Sequence, residues 1–291
     1  MIVRDFSRLA PLAALAAGLS LAGCNTMLGG GSGGVAAPKV AVLEEESKET
    51  TSANIGSLSE VIERNPGDPS AYNTRGAAYA KVGRYNDAIA DFNRAVQIDP
   101  NYAPAYTNRG LAHRQTNRND VALSDFSRAI ASDPNYGPAY IGRANLLRVQ
   151  GNFPDALTDL SQAIRLTPES AEALHARGLV YQRMGQHQKA VLDFDAAIDR
   201  NPFVAAPYAA RGQSLVQLNQ HDKAIEDFNA ALNVNNRDGE SWAWLGVAHE
   251  RAGKKQEAIE NYQRALSVQP GNATAKQGLA RVQGGGLALF R

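Results

Sequence analysis

The chain has 291 residues, 44% of them apolar, with 30 basic and 29 acidic side chains and one cysteine. Balanced charge leaves no whole-molecule field to draw nucleic acid, and a lone cysteine excludes a disulfide framework. Stability has to come from packing.

At the N-terminus, Arg4 and Arg8 precede an apolar run from Leu9 to Leu21. The run is too short to span a bilayer as a helix and has the build of a secretory signal. Leu21-Ala22-Gly23-Cys24 follows, and this tetrapeptide resembles the lipobox of bacterial lipoproteins. The resemblance implies cleavage of residues 1–23, a diacylglycerol on the Cys24 sulfur and a further acyl chain on the new N-terminus. Two chains give stable anchoring, at about 0.8 kcal/mol per buried methylene, so three hold a protein on a membrane. Asn25, in place of an aspartate after the cysteine, implies by that family's sorting pattern the periplasmic face of the outer membrane. Processing removes Arg4, Arg8 and Asp5 and leaves 28 charges of each sign.

Residues 24–53 read as the lipidated cysteine and a flexible tether. Gly29 to Gly34 holds five glycines and a serine, and the rest is small, polar or acidic with little periodicity. Such a segment reaches roughly 30 Å on average and about 100 Å at full extension. Gly30-Gly31-Ser32-Gly33-Gly34 meets the G-x-S-x-G pattern, but no strand leads in and no helix leads out, so it reads as linker. Glu44 to Glu46 reads as a solvated stretch.

Beyond the tether, proline stands at 66, 100, 134, 168, 202 and 270, with Asn236 in the gap, so a register mark returns every 34 residues. Units of this length cannot bury an apolar face alone and must stack on their neighbours. Aligned on the prolines, Tyr72, Tyr106, Tyr140, Leu174, Tyr208 and Trp242 share one column, and Gly76, Gly110, Ala144, Gly178, Gly212 and Gly246 another. Ala88 and its five equivalents are alanine throughout. Four residues on stand Phe92, Phe126, Leu160, Phe194, Phe228 and Tyr262, and three beyond those Ala95 and its equivalents. Alanine, aromatic, alanine at spacings of four and three is one face of a helix. Each unit therefore predicts two helices, about Ala71–Val82 and Asp87–Ile98 in the first. Between them Gly83, Asn117, Gly151, Gly185, Asn219 and Gly253 share a column. Gly and Asn most readily take the left-handed conformation at a helix C-terminus.

This succession of aromatic, Gly, Tyr79 or Tyr181, alanine, aromatic, alanine and proline resembles the tetratricopeptide repeat (TPR), in six copies from Pro69 to Pro270. The resemblance implies an all-α TPR solenoid, a right-handed superhelix of helix-turn-helix repeats, with fourteen helices and no sheet. Residues 54–66 form an N-terminal capping half repeat, with Leu58 and Val61 at the places of Phe92 and Ala95. Residues 67–270 hold the six repeats, 271–283 a C-terminal capping helix and 284–291 a flexible tail. Capped ends keep a solenoid soluble.

Two further columns carry charge. Arg75, Arg109, Arg143, Arg177 and Arg211 are followed 16 residues later by Asp91, Asp125, Asp159, Asp193 and Asp227. The last repeat has Leu245 and Asn261, so both charges are lost together. Pairing within each repeat accounts for all five and reads as a ladder of partly buried ion pairs; a ligand-binding arginine row is the competing reading. Of the five histidines, His113 and His249 take the Tyr79 column, His187 and His221 lie in inter-helix turns, and none stands within four residues of another. Zinc needs three or four convergent ligands, so no metal and no cofactor are expected. No phosphate loop, paired-carboxylate or triad spacing appears, and a non-enzymatic protein is expected.

In the TPR family the first helices line a concave groove. Matching positions here include Asn73, Lys81, Arg114, Asn145, Arg148, His175, Arg183 and Arg251, beside apolar Ala77, Leu111, Ile141, Leu179 and Val247. This mixture suits an extended or helical segment with an acidic or C-terminal carboxylate feature, with ordinary solvated side chains as the competing reading. The carboxylate-clamp pattern of chaperone-binding arrays is not reproduced. With its anchor, the chain resembles bacterial TPR lipoproteins of the new lipoprotein I type. That implies a scaffold recruiting envelope proteins such as peptidoglycan hydrolases, proteases or assembly-machine components; a homodimer stays open and nucleic acid is not expected. Two alternatives stand: a peptidoglycan-binding module using Trp242 and Trp244, and a pilotin-like assembly factor for a pilus or secretion system.

Overall fold

The computed structural model describes residues 48–284. The signal segment, Cys24, the tether up to residue 47 and the tail after Gly284 lie outside the described residues. Those described form fourteen helices and no strand. Helix α1 (Lys48–Arg64) opens the array. Six pairs follow: α2 (Pro69–Lys81) with α3 (Tyr85–Ile98), α4 (Ala103–Gln115) with α5 (Asn119–Ser132), and α6 (Gly137–Val149) with α7 (Phe153–Leu166). Next come α8 (Ala171–Arg183) with α9 (His187–Arg200), α10 (Ala205–Gln217) with α11 (His221–Val234), and α12 (Gly239–Arg251) with α13 (Lys255–Val268). Helix α14 (Ala273–Gly284) ends it. Observed bounds in the first repeat lie within two residues of those expected.

Local chemistry accounts for the boundaries. Asp68 and Asp238 cap their helices by accepting from the amides of Ser70 and Glu240, and Ser170 accepts from Ala173. Pro69, Pro104 and Pro138 occupy first turns, where a missing N–H costs nothing. At the inter-helix turn the Gly/Asn column has positive φ in all six repeats, from 57° at Asn219 to 80° at Gly151. The following amide bonds back to the carbonyl of Tyr79, His113, Leu147, Tyr181, Leu215 or His249, at 2.9 Å every time. One sharp reversal is thus repeated six times, and it satisfies carbonyls that a helix end leaves unpaired.

Packing between units runs through the aromatic column. Phe92, Phe126, Phe194, Phe228 and Tyr262 are fully buried. A Cβ placed on Gly110 would stand 2.9 Å from Phe126 Cε1, and one on Gly142, in the next repeat, 2.5 Å. Each ring therefore wedges against first helices of two successive repeats, and glycine permits the approach. Helices α2, α4, α6, α8, α10 and α12 touch one another in series, whereas second helices of successive repeats do not. The first helices form the inner row, and the groove is theirs.

Helix α1 departs from expectation twice. It begins at Lys48, inside the segment expected as tether, because no glycine or proline interrupts residues 48–55. Ile62 is buried and Val61 is 45% exposed. Val61 has the register of Ala95, but α1 has no first helix of its own for that face to meet.

Candidate partner-binding groove

The charged columns meet within each repeat. Arg75 donates from Nε and Nη2 to the two carboxylate oxygens of Asp91, both at 2.8 Å. The same fork joins Arg109 to Asp125, Arg143 to Asp159, Arg177 to Asp193 and Arg211 to Asp227, at 2.6–2.9 Å. All five aspartates are buried. Burial pushes the Asp227 carboxyl up, while the hydrogen bond it donates to Asp227 holds Arg211 above the usual arginine value. A third arm was not foreseen. Nη1 of Arg75, Arg109, Arg143 and Arg211 crosses to the preceding second helix, donating to Ser59, Asn93, Ser127 and Asp195 at 2.6–3.3 Å. In the last repeat Leu245 is buried and Asn261 donates to its own helix at Glu257.

On the inner row, Arg114, Asn145, Arg148 and His175 come together around one cavity of about 390 Å³, with Val149, Glu172, Ala176 and Leu179 completing its walls. Arg148 is its centre of charge. Its Nε is buried without a hydrogen-bond partner. Burial, then Arg183 and Arg114 beside it, lower the Arg148 pKa from the usual arginine value, and arginine stays charged. None of these three guanidiniums has a hydrogen-bond or ion-pair partner among the described residues. A second cavity of about 300 Å³ lies between α2 and α4, lined by Ala77, Ala80, Tyr85, Leu111 and Ala112, and shares Arg114 with the first.

The other expected groove residues stand apart from this cluster. Asn73 accepts a 2.9 Å hydrogen bond from Asn108, tying α2 to α4. Lys81 and Arg251 are exposed at the last residues of α2 and α12. Glu172 and Val149 were missed because no neighbouring repeat carries the same type at their columns.

Models of the tetratricopeptide repeat match residues 69–102, 103–136, 144–185, 171–203 and 209–282. The chain is built of tetratricopeptide repeats. No curated protein matches it. Among solved structures it is similar to the APC/C hetero-tetramer Cut9–Hcn1, at 20% identity and TM-score 0.71, over 80% of this chain and 47% of that one. It is similar to Pseudomonas aeruginosa PilF at 18% and 0.66, over 75% and 99% of the two chains. YrrB, a TPR protein with an unusual peptide-binding site, matches at 21% and 0.52, over 64% and 96%. At these identities the likeness is one of fold.

Two further observations define the TPR groove. Trp242 Nε1 donates to the Asn236 carbonyl with Arg264 over its ring, and Trp244 Nε1 donates to Glu240 while its ring packs on the Leu215 and Phe228 cluster. Among the described residues no three His, Cys, Asp or Glu side chains converge on a metal position.

His175 gives the groove a pH dependence. Its ring lies 5.7 Å from that of Phe194, and burial followed by Arg148 pushes its imidazole down to about 4. An unfolded imidazole titrates near 6.5, so between those values the unfolded chain binds more protons and stability falls as pH falls. The loss from pH 8 to pH 5 is on the order of 2 kcal/mol. His175→Gln should remove that part, as read from urea unfolding of both proteins at both pH values. Equal pH slopes would contradict it.

Proposed function

We propose that this chain is a lipid-anchored scaffold of the bacterial cell envelope that holds segments of partner proteins in the groove of its first helices. A TPR array is an interaction scaffold by fold. The observation carrying groove use is the contrast between two sets of arginines. Five are matched by buried aspartates, while Arg114, Arg148 and Arg183 on the inner row make no ion pair among the described residues. An unpaired, partly desolvated cation costs stability, and a partner's acidic group can offset that cost. Anchoring is supported by the Leu21–Cys24 resemblance, and no described helix is long and apolar enough to cross a membrane. Envelope hydrolases, proteases or assembly components are the partners such lipoproteins imply. The PilF-like architecture is compatible with a pilotin-like form of the same reading. Both tryptophans are engaged in the array, which favours protein over glycan as the ligand.

Cys24→Ser should abolish labelling by a palmitate analogue and release the protein from membranes; equal labelling of the variant would sink the anchor. Arg114, Arg148 and Arg183 changed together to Glu should cut co-purified partners at least tenfold, as loss of about 1.4 kcal/mol would. The control is charge reversal at exposed Arg237, Lys255 and Lys276. Arg94, Arg128 and Arg264 make poor controls because each guanidinium lies 5.8–5.9 Å from the ring centroid of Tyr72, Tyr106 or Trp242. Retention of every partner by the groove variant would move recognition elsewhere on the chain.

A further inference from the structure

The cavity on α6 and α8 has features that narrow its ligand. Arg148 presents a donor already stripped of solvent and held without a partner, and a carboxylate can take it in a charge-assisted bond. Asn145 and the neutral imidazole of His175 add hydrogen-bonding groups, while Ala176, Leu179 and Val149 accept aliphatic stem. Glu172 stands on the same wall, and its charge opposes a second negative charge on the ligand, disfavouring a phosphate dianion. No Phe, Tyr or Trp lines the cavity, so a sugar ring finds no large aromatic face there.

The second cavity supplies the other half. Ala77, Ala80, Phe92, Leu111 and Ala112 give it apolar walls beside the polar Asn108, Arg114 and Gln115, and its place between α2 and α4 is one and a half first-helix spacings along the row from Arg148 on α6. Packed helices stand about 8–10 Å apart, so the pocket is roughly 12–15 Å from the helix that carries Arg148. An extended chain advances about 3.3 Å per residue and covers this in about four or five residues.

We propose that the groove recognises a bipartite extended protein segment: a carboxylate seated on Arg148 with Arg114 and Arg183 beside it, and an aliphatic side chain about four or five residues away in the pocket between α2 and α4. This rests on the groove reading above and names its ligand. The carboxylate comes from an Asp or Glu side chain or from a chain terminus.

The test selects a library of short peptides, displayed with free C-termini, against the full chain in detergent. Enriched sequences are synthesised with free and with amidated ends and titrated by fluorescence anisotropy. Expected are a shared acidic residue or terminus at the stated spacing from an aliphatic one, and at least tenfold weaker binding to Arg148→Leu at an unchanged or higher Tm. Arg183→Gln, at the exposed rim, should give a smaller loss and serves if Arg148→Leu melts low. Binding should also raise the His175 imidazole pKa, followed by NMR, because a carboxylate offsets the charge of Arg148. Survival of binding after amidation assigns a side chain, and its loss a terminus. Preference for phosphoserine over glutamate, or binding indifferent to Arg148→Leu and Arg183→Gln, overturns the carboxylate assignment. If such peptides are still lost in Ala77→Trp, which fills the second pocket, the groove reading stands alone. No enrichment, or indifference to every variant, overturns both.

Discussion

Replacing Arg143 by leucine is expected to lower the unfolding free energy by about 2–3 kcal/mol, and adding Asp159→Asn to restore a good part of the loss. Asp159 has only 6% of its side chain exposed and takes both prongs of the Arg143 fork at 2.7 Å. Leucine removes both donors and strands a buried carboxylate. Breaking a fully buried pair costs about 3–5 kcal/mol, and the 25% exposure of Arg143 puts this one below that range. The asparagine of the double variant carries no charge to strand. The chain already holds this solution, since Leu245 is buried and Asn261 turns to its own helix. A urea-unfolding double-mutant cycle decides the matter: strict additivity would show that the fork does not couple the two residues.

The third arm extends the consequence beyond one repeat. Arg143 Nη1 reaches Ser127 on α5, so the leucine variant also loosens the joint between the second and third units. In an array that contacts only nearest neighbours, such joints set how far unfolding propagates.

Fold and site were unequally legible in the sequence. The 34-residue period, the Gly/Asn turn column and the 16-residue Arg–Asp spacing each repeat one residue type at one position, and each corresponds to one recurring geometry. The third arm recurs in geometry but not in type: Ser59, Asn93, Ser127 and Asp195 share only an acceptor oxygen. The groove was legible as a set of positions but not as a cluster. Arg114, Arg148 and Arg183 recur at nearly one period, yet nothing in the string shows that Arg148 loses solvent while Lys81 and Arg251 keep it. Gly142 was missed for another reason. Its column reads Thr74, Asn108, Gly142, Ala176, Ala210 and Trp244, which carries no size pattern, although Phe126 depends on its lack of a side chain.

Repeat three departs from the pattern at Ala144 and Leu160 together, and the structure explains both at once. Gly178→Ala, which imposes half of that change on repeat four, is expected to destabilise by about 1–2 kcal/mol although alanine is the better helix former by about 1 kcal/mol. The new Cβ would stand 2.5 Å from Phe194 Cε1 and 2.8 Å from Cδ1. Phe194 is fully buried, with His175 beside it, so its ring has no empty space to enter. Overpacking of this kind costs about 1–3 kcal/mol and outweighs the gain in propensity. Phe194→Leu alone should also destabilise, by leaving unfilled volume against Gly178. The two together should cost at least about 1 kcal/mol less than their sum, because the added methyl enters space the smaller side chain vacates. Ala210 already stands where repeat three has Ala176, so the double variant reproduces the Ala144, Leu160 and Ala176 packing. Additive costs in urea unfolding would mean that Leu160 and Ala144 vary independently, and that the ring and the glycine do not form one steric unit.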